Sequence, residues 1–430
     1  MSHSLARAEE RLLHDDPAGA EHELRTILAG APDEAVAHNL MGLVHVARHE
    51  LADAMTEFST AAGLRDPYDD ALVNLALCCN RTGKHDLALD ACRRVPAGSH
   101  THVFARVNEA RAWRGLDQPD AARRALADAG AHPLAHVVSG EMLLFEGDIE
   151  QGLQRLEERH ALARPGAGPG GVPWTGEPRP RDRLLVIPEQ GLGEMLFMSR
   201  FLPALADRFA HVVVLAPAPL SRLLATLDER VEIVTSLDRA RWDVWAPVGS
   251  VPWLLGAHSL EDVPREPWIR VAGNRDAAAA LRVGINWAGD PTHPLDALRS
   301  TSLDAFAPLL ESPGIDWVSL RVGAREAEAA AYGIARPLEG SADFLDTARV
   351  VAELDLVVAT DSAVAHLAAA MGVPTCVLTT ADADWRWQGW YRDVTLCPQQ
   401  APGNWHGSIA RVAGALIALL DSAQEARAAA

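Results

Sequence analysis

The stretch VVATDSAVAHLAAAMGVPTCVL, residues 357–378, sets two apolar runs around a short alanine-rich segment. Each run has the length of a buried strand, and the segment between them, closed by Gly372 and Pro374, reads as a helix. A strand, a helix and a strand in that order make a crossover between parallel strands. Asp361 and Ser362 stand where the helix begins, with His366 one turn further in. Two readings are open at this point. Asp361 or Ser362 caps the helix and His366 is a satisfied, half-buried ring, or all three face a ligand outside the carboxyl ends of the strands.

The same alternation extends on both sides. RLLVIP, HVVVLAP and VEIVTS read as strands with helical segments between them, and a second series begins at LRVGINWAG and continues through DWVSLRV, DLVVAT and TCVLTT. The break between the series falls near residues 250–275. The expectation is two Rossmann-like α/β lobes, residues 183–272 and 273–430, facing a cleft. Before them, residues 161–182 are rich in Pro and Gly and read as a linker.

Residues 1–160 follow another rule. At a period of 34, Ala8, Gly42, Ala76 and Ala110 fall in one column, and Ala20, Ala54, Ala88 and Ala122 in a second. Leu24, Phe58, Cys92 and Leu126 make a third. Small residues in the first two columns let paired helices approach, and the third fills the gap to the next unit. That is the packing of tetratricopeptide repeats. A shortened unit follows in GEMLLFEGDIEQGLQRLEERH, with Gly147 in its turn and Gly152 at its tight contact. Such an array offers a groove to a peptide or protein, or it only supports the next domain; no conspicuous run of Asn or aromatic residues marks a peptide clamp. The fold class expected is α plus α/β, a helical repeat array followed by two Rossmann-like lobes.

Composition narrows the partners. The formal charge is −19, from 39 Lys+Arg against 58 Asp+Glu, which argues against nucleic acid and anionic membrane as ligands. No apolar run reaches the roughly 20 residues of a membrane span, and the first residues lack a signal-peptide core. Five cysteines without a CxxC pattern read as buried free thiols in a reducing compartment, and a cytoplasmic location is expected.

Three stretches besides the first carry candidate chemistry. In PEQGLGEML, Gly191 and Gly193 lie between a strand and a helix, where free backbone N–H groups suit an anion; equally they make a tight turn with Glu194 in the helix's first turn. In WAGDPTHPLDALRSTSL, Asp296, Arg299 and Ser300 sit on a polar loop at a strand's carboxyl end, and Arg offers a fork of donors matched to phosphate. In DADWRWQGWYRD, aromatics crowd around Arg386 and Arg392, either to hold a base or sugar or to seal a lobe interface. No His, Cys, Asp or Glu cluster shows metal-ligand spacing, and no cofactor is expected.

Taken in order, the repeats, PxWxGE (Pro173, Trp174, Gly176, Glu177), EQGLG, GINWAG, RS, SL, DTA…LDLV, the AVAHLA helix and DWRW resemble bacterial repeat-containing glycosyltransferases related to family 9, the ADP-heptose transferase family. The resemblance covers nearly the whole chain. It implies a GT-B fold with a nucleotide-sugar held mainly by the C-terminal lobe, and metal-independent glycosyl transfer to a protein, peptide or glycan acceptor recruited partly by the repeat groove. Asp361, Ser362 and His366 would then face the donor, with Gly191, Gly193, Asp296, Arg299, Ser300 and Arg321 as further donor-binding positions. Heptosyltransferases carry an Asp as proposed catalytic base after the Gly-rich turn, where this chain has Glu194. Ala297 stands where an Arg is common, and Arg321 where the family has Gln. Those departures leave a second class open, a non-catalytic repeat scaffold fused to a degenerate transferase domain.

Overall fold

The computed structural model describes residues 3–163, 168–273, 280–323, 325–341 and 343–429. They form two compact units, residues 1–139 with 290–298, and residues 140–289 with 299–430.

The first unit is built from antiparallel helix pairs: α1 (His3–Leu13) with α2 (Pro17–Gly30), α3 (Ala35–Ala47) with α4 (Leu51–Leu64), α5 (Asp69–Arg81) with α6 (His85–Arg93), and α7 (His102–Gly115) with α8 (Pro119–Asp128). Local chemistry sets the starts. Asp16 accepts from the Gly19 N–H and Pro17 takes the first position of α2, where its missing donor costs nothing. All three sequence columns are buried, and they form the seams between helices. Gly42 lies against the Phe58 ring, where a β-carbon would stand 2.5 Å from Cε1. Asparagines tie the seams as well, Asn74 Nδ2 donating to Asn39 Oδ1 (3.1 Å) and Asn108 Nδ2 to the Val73 carbonyl (3.4 Å). They stand one repeat apart, so nothing about them is adjacent in the chain.

A ninth helix, α9 (Pro133–Glu146), leads to α10 (Ile149–Leu156). Gly147 makes the turn with a positive φ, and Gly152 lies against Leu144 as a tight contact demands. Residues 140–163 count with the second unit, because Leu144, Ile149 and Leu153 are part of its apolar core.

That unit holds two parallel sheets. The first lobe contains β1 (Val172–Pro173), β2 (Arg179–Ile187), α11 (Leu192–Met198), α12 (Leu202–Ala206), β3 (Phe209–Leu215), α13 (Ala218–Leu224), β4 (Val231–Val234), β5 (Val244–Pro247) and α14 (Val251–Leu254). Its strand order is β1-β5-β2-β3-β4. The second lobe contains β6 (Leu281–Asn286), α15 (Asp296–Arg299), α16 (Ala307–Leu310), β7 (Ile315–Ser319), α17 (Phe344–Val351), β8 (Leu356–Thr360), α18 (Ala363–Ala370), β9 (Thr375–Thr379), β10 (Val394–Pro398) and α19 (His406–Ala429). Its order is β10-β9-β8-β6-β7. The chain is thus a helical repeat array followed by two Rossmann-like lobes.

The elements differ from the sequence reading in several places. The segment after EQGLGE is not one helix: Pro203 starts a new one, with a tight turn between α11 and α12. Strands β5 and β10, four and five residues long, went unread, yet β5 pairs with both β1 and β2 and β10 pairs with β9. The stretch read as a linker holds β1 and the start of β2, because the buried Trp174 anchors it, donating its backbone N–H to Trp245 (2.8 Å) and its Nε1 to the Glu177 carbonyl (2.7 Å). Residues 164–167 of that stretch lie outside the described residues.

Candidate functional site

Helix α11 follows β2 and helix α18 follows β8, so each begins at the carboxyl end of a parallel sheet, and the two pack on each other. Gly193 is the point of approach. A β-carbon there would stand 2.7 Å from His366 Cδ2 and 3.6 Å from the Ala363 Cα. Gly191 has open space instead. The Gly193 position is therefore explained by helix packing between the lobes.

On α11, Glu194 is 6% exposed. Its Oε2 accepts the Gln190 backbone N–H at 2.8 Å, and its Oε1 faces Arg386 Nη2 of the second lobe at 3.4 Å. Burial holds its pKa above the usual carboxylate value, against the opposing pull of Arg386 and the Gln190 N–H. Arg386, 8% exposed, donates Nη1 to Asp384 (2.8 Å) and Nη2 to the Gln190 side chain (3.1 Å). Its Nε is buried without a hydrogen-bond partner.

Asp361 and Ser362 do not cap α18. Ser362 has the extended backbone of an N-cap, but its hydroxyl donates to the Thr360 carbonyl (2.8 Å) and accepts from Asn286 Nδ2 (3.1 Å). Asp361 Oδ1 accepts the Trp387 indole N–H at 3.1 Å. No side chain caps the first turn of α18, so its positive end stays available. Burial pushes the Asp361 pKa up to about 6, helped by the nearby Asp384 and opposed by the Trp387 hydrogen bond, Arg299 and Arg386.

His366 does not turn to the strand ends. Its ring stacks on Trp387 (4.1 Å between centroids, 11° between planes), and Nδ1 pairs with the Tyr391 hydroxyl at 2.8 Å. Burial and the charges of Arg386 and Arg200 hold its pKa well below the ordinary histidine value, so it is neutral near pH 7. The DADWRWQGWYRD cluster accordingly seals the lobes together. Phe197 of α11 meets His366, Trp385, Trp390 and Tyr391, all on the second lobe.

The remaining candidates shape the loop after β6. Ser300 Oγ accepts the Gly289 N–H (2.9 Å), the Arg299 guanidinium lies against Gly289, and Arg321 Nη1 donates to the Ala288 carbonyl (2.8 Å). Arg321 is buried. Asp296 belongs to residues 290–298, which divide with the first unit. The structure thus brings together Gly193, Glu194, Asp361, Ser362 and His366, with Arg299 acting electrostatically on Asp361.

Sequence reasoning missed Asn286, Gln190 and the role of Arg386. Asn286 had a signal, a polar residue ending an apolar strand, and its buried Oδ1 has no partner. The grouping of His45, Glu50 and Asp53 at the α3–α4 turn was also missed; both carboxylates are exposed there, and His45 Nδ1 pairs with Glu50 at 2.7 Å.

Residues 318–404, which carry Asp361, Ser362, His366 and Arg386, match the family model Glycosyltransferase family 9 (heptosyltransferase). Over those residues the second lobe is similar to glycosyltransferase family 9. A curated relative, Protein FlbA of Caulobacter vibrioides, is 26% identical over 362 residues, which is 74% of this chain. The chain spans 60% of that relative's length. Among solved structures, the E. coli ADP-heptose LPS heptosyltransferase II covers 56% of this chain and 99% of its own, at 17% identity and a TM-score of 0.43. An O-GlcNAc transferase of Thermobaculum terrenum covers 98% of this chain and 92% of its own, at 16% identity and a TM-score of 0.38. Among the described residues, no helix is long and apolar enough to cross a membrane.

Proposed function

We propose that this chain is a glycosyltransferase that moves a sugar from a nucleotide-sugar donor to a protein, peptide or glycan acceptor recruited partly by its repeat array. The observation that carries the reading is the uncapped first turn of α18, at the carboxyl ends of β6 and β8, beside two cations of the second lobe, Arg299 and Arg386. Helix N–H groups and guanidinium ions suit the charge that develops on a departing nucleoside diphosphate. They supply it without a divalent cation, and the proposed transfer is metal-independent. Glu194, at the opposite lobe's sheet end, is the proposed base for the acceptor hydroxyl.

The test is a binding screen of the full chain against ADP-, UDP-, GDP-, CMP- and dTDP-linked sugars, beside Asp361→Ala. One clear hit that the variant loses supports the donor site; no hit across the panel sinks it. Deleting residues 1–130 is expected to lower acceptor modification while donor binding persists.

One observation favours the second reading, a repeat scaffold with a lapsed transferase domain: both oxygens of Glu194 are already engaged. Glu194→Gln separates the two. A transferase loses turnover, whereas a scaffold keeps its cellular role.

A further inference from the structure

Arg386 holds an arrangement that the donor reading leaves unexplained. Its guanidinium shares Nη2 between the Gln190 side chain at 3.1 Å and Glu194 at 3.4 Å, while Nη1 is well seated on Asp384 at 2.8 Å. A charge-assisted bond between guanidinium and carboxylate normally closes to about 2.7–2.9 Å. The contact to Glu194 is therefore the slack one. The buried Nε has no partner at all, which is costly for a charged donor. Arg386 also sits beside the uncapped helix. The next residue, Trp387, is bonded to Asp361 and stacked on His366, and Arg386 acts electrostatically on both.

We propose that the Arg386–Glu194 contact is exchangeable: the anionic diphosphate that joins nucleoside to sugar in the donor takes the Arg386 guanidinium, and Glu194 is released toward the acceptor. The inference rests on the donor reading above and deepens it. A diphosphate at the first turn of α18 offers Arg386 more negative charge and more acceptor oxygens than one carboxylate oxygen at 3.4 Å. The exchange leaves Glu194 held only by the Gln190 N–H on Oε2, with Oε1 open. Arg386 is then a donor-binding residue whose resting partner is the base. The engaged carboxylate is the state before donor arrives, and base and donor become ready together.

The experiment is calorimetry of the full chain with ADP, UDP, GDP, CDP and dTDP as probes, on wild type, Glu194→Gln, Glu189→Gln and Arg386→Lys. Glu189 is the control: it lies near Glu194 but is seated on Arg159 through two bonds, at 2.9 and 2.8 Å. Exchange predicts that Glu194→Gln binds the preferred diphosphate about tenfold more tightly, because a competitor for Arg386 is gone. Glu189→Gln should stay within about twofold of wild type, and Arg386→Lys should weaken binding about tenfold. Equal or weaker binding by Glu194→Gln overturns the exchange while leaving the donor site standing. Equal tightening by Glu189→Gln also overturns it, since the effect is then general charge. Wild type that binds no diphosphate removes the donor reading and this inference with it. Misfolding of Arg386→Lys does not spoil the test, because damage does not tighten binding.

Discussion

Gly193 stands edge-on to the ring of His366, close enough that a β-carbon on the glycine would lie 2.7 Å from Cδ2. His366 cannot give way, because Trp387 stacks on its face and Tyr391 holds Nδ1. Gly193→Ala is therefore expected to cost about 1–3 kcal/mol by overpacking. Gly191→Ala, where the added carbon meets open space and φ is −89°, should stay within about 0.5 kcal/mol. Urea denaturation of the two variants checks the contrast. Equal losses would show that the turn, and not the lobe contact, demands glycine.

Arg200 bonds the lobes from the inside. It is buried, donates Nη1 to the Trp390 carbonyl (2.6 Å) and Nε to the Phe197 carbonyl (2.9 Å), and lies over the rings of Trp268, Phe197 and Tyr391. Burial lowers its pKa to about 10, so it keeps its charge at neutral pH. Arg200→Ala removes these carbonyl bonds, a third to Pro264 (3.3 Å) and the ring packing, and about 3–5 kcal/mol is expected to go with them. Arg200→Lys should recover only part of that, since an ammonium cannot reproduce the planar fork. Tryptophan fluorescence during denaturation reads the loss, because Trp268 and Trp390 flank the guanidinium.

What the sequence disclosed follows from distance along the chain. The repeat columns were legible because Ala20, Ala54, Ala88 and Ala122 recur at one period and meet neighbours within one repeat. Most strands of both lobes were legible as apolar runs; β1, β5 and β10, of two, four and five residues, are too short to stand out. The contacts that unite the lobes had no such signal. Arg386 meets Glu194 across 192 residues and Arg200 meets Trp390 across 190, so no window of sequence contains both partners. DADWRWQGWYRD left a ligand face and a lobe seal equally open, and burial of Trp385, Trp387 and Trp390 favours the seal. The cap expected at Asp361 or Ser362 failed for a related reason, since Trp387 and Asn286 claim those side chains from elsewhere in the chain.

Gly42 and Phe58 compensate each other in volume. Where the other repeats pair an alanine with Leu or Cys in the matching columns, this repeat pairs a glycine with a phenylalanine, and a β-carbon on Gly42 would stand 2.5 Å from Phe58 Cε1. Gly42→Ala alone should cost about 1–3 kcal/mol and Phe58→Leu alone about 1 kcal/mol. The double variant restores the pairing seen at Ala8 with Leu24 and should lose less than the sum. A double-mutant cycle by denaturation measures the coupling, and strict additivity would mean the ring simply moves aside.

Asp361 gives a stability change whose sign depends on pH. The folded chain keeps the proton on this carboxyl up to about pH 6, the unfolded chain only to 3.8. Between those values the native state binds the extra proton, so the group's contribution is most favourable below pH 3.8 and is lost as pH rises through about 6. At pH 8 a half-buried carboxylate carries that burden, while its Oδ1 accepts only the one indole N–H from Trp387. Asp361→Asn keeps that acceptor and removes the charge. It should stabilise the fold by about 1–2 kcal/mol at pH 8, a figure reduced for the part of the side chain that water reaches. Near pH 4 wild type and variant should converge. Denaturation midpoints of both proteins at pH 4, 6 and 8 decide the matter. A variant less stable than wild type at pH 8 would mean that Arg299 and Arg386 outweigh burial at this carboxylate.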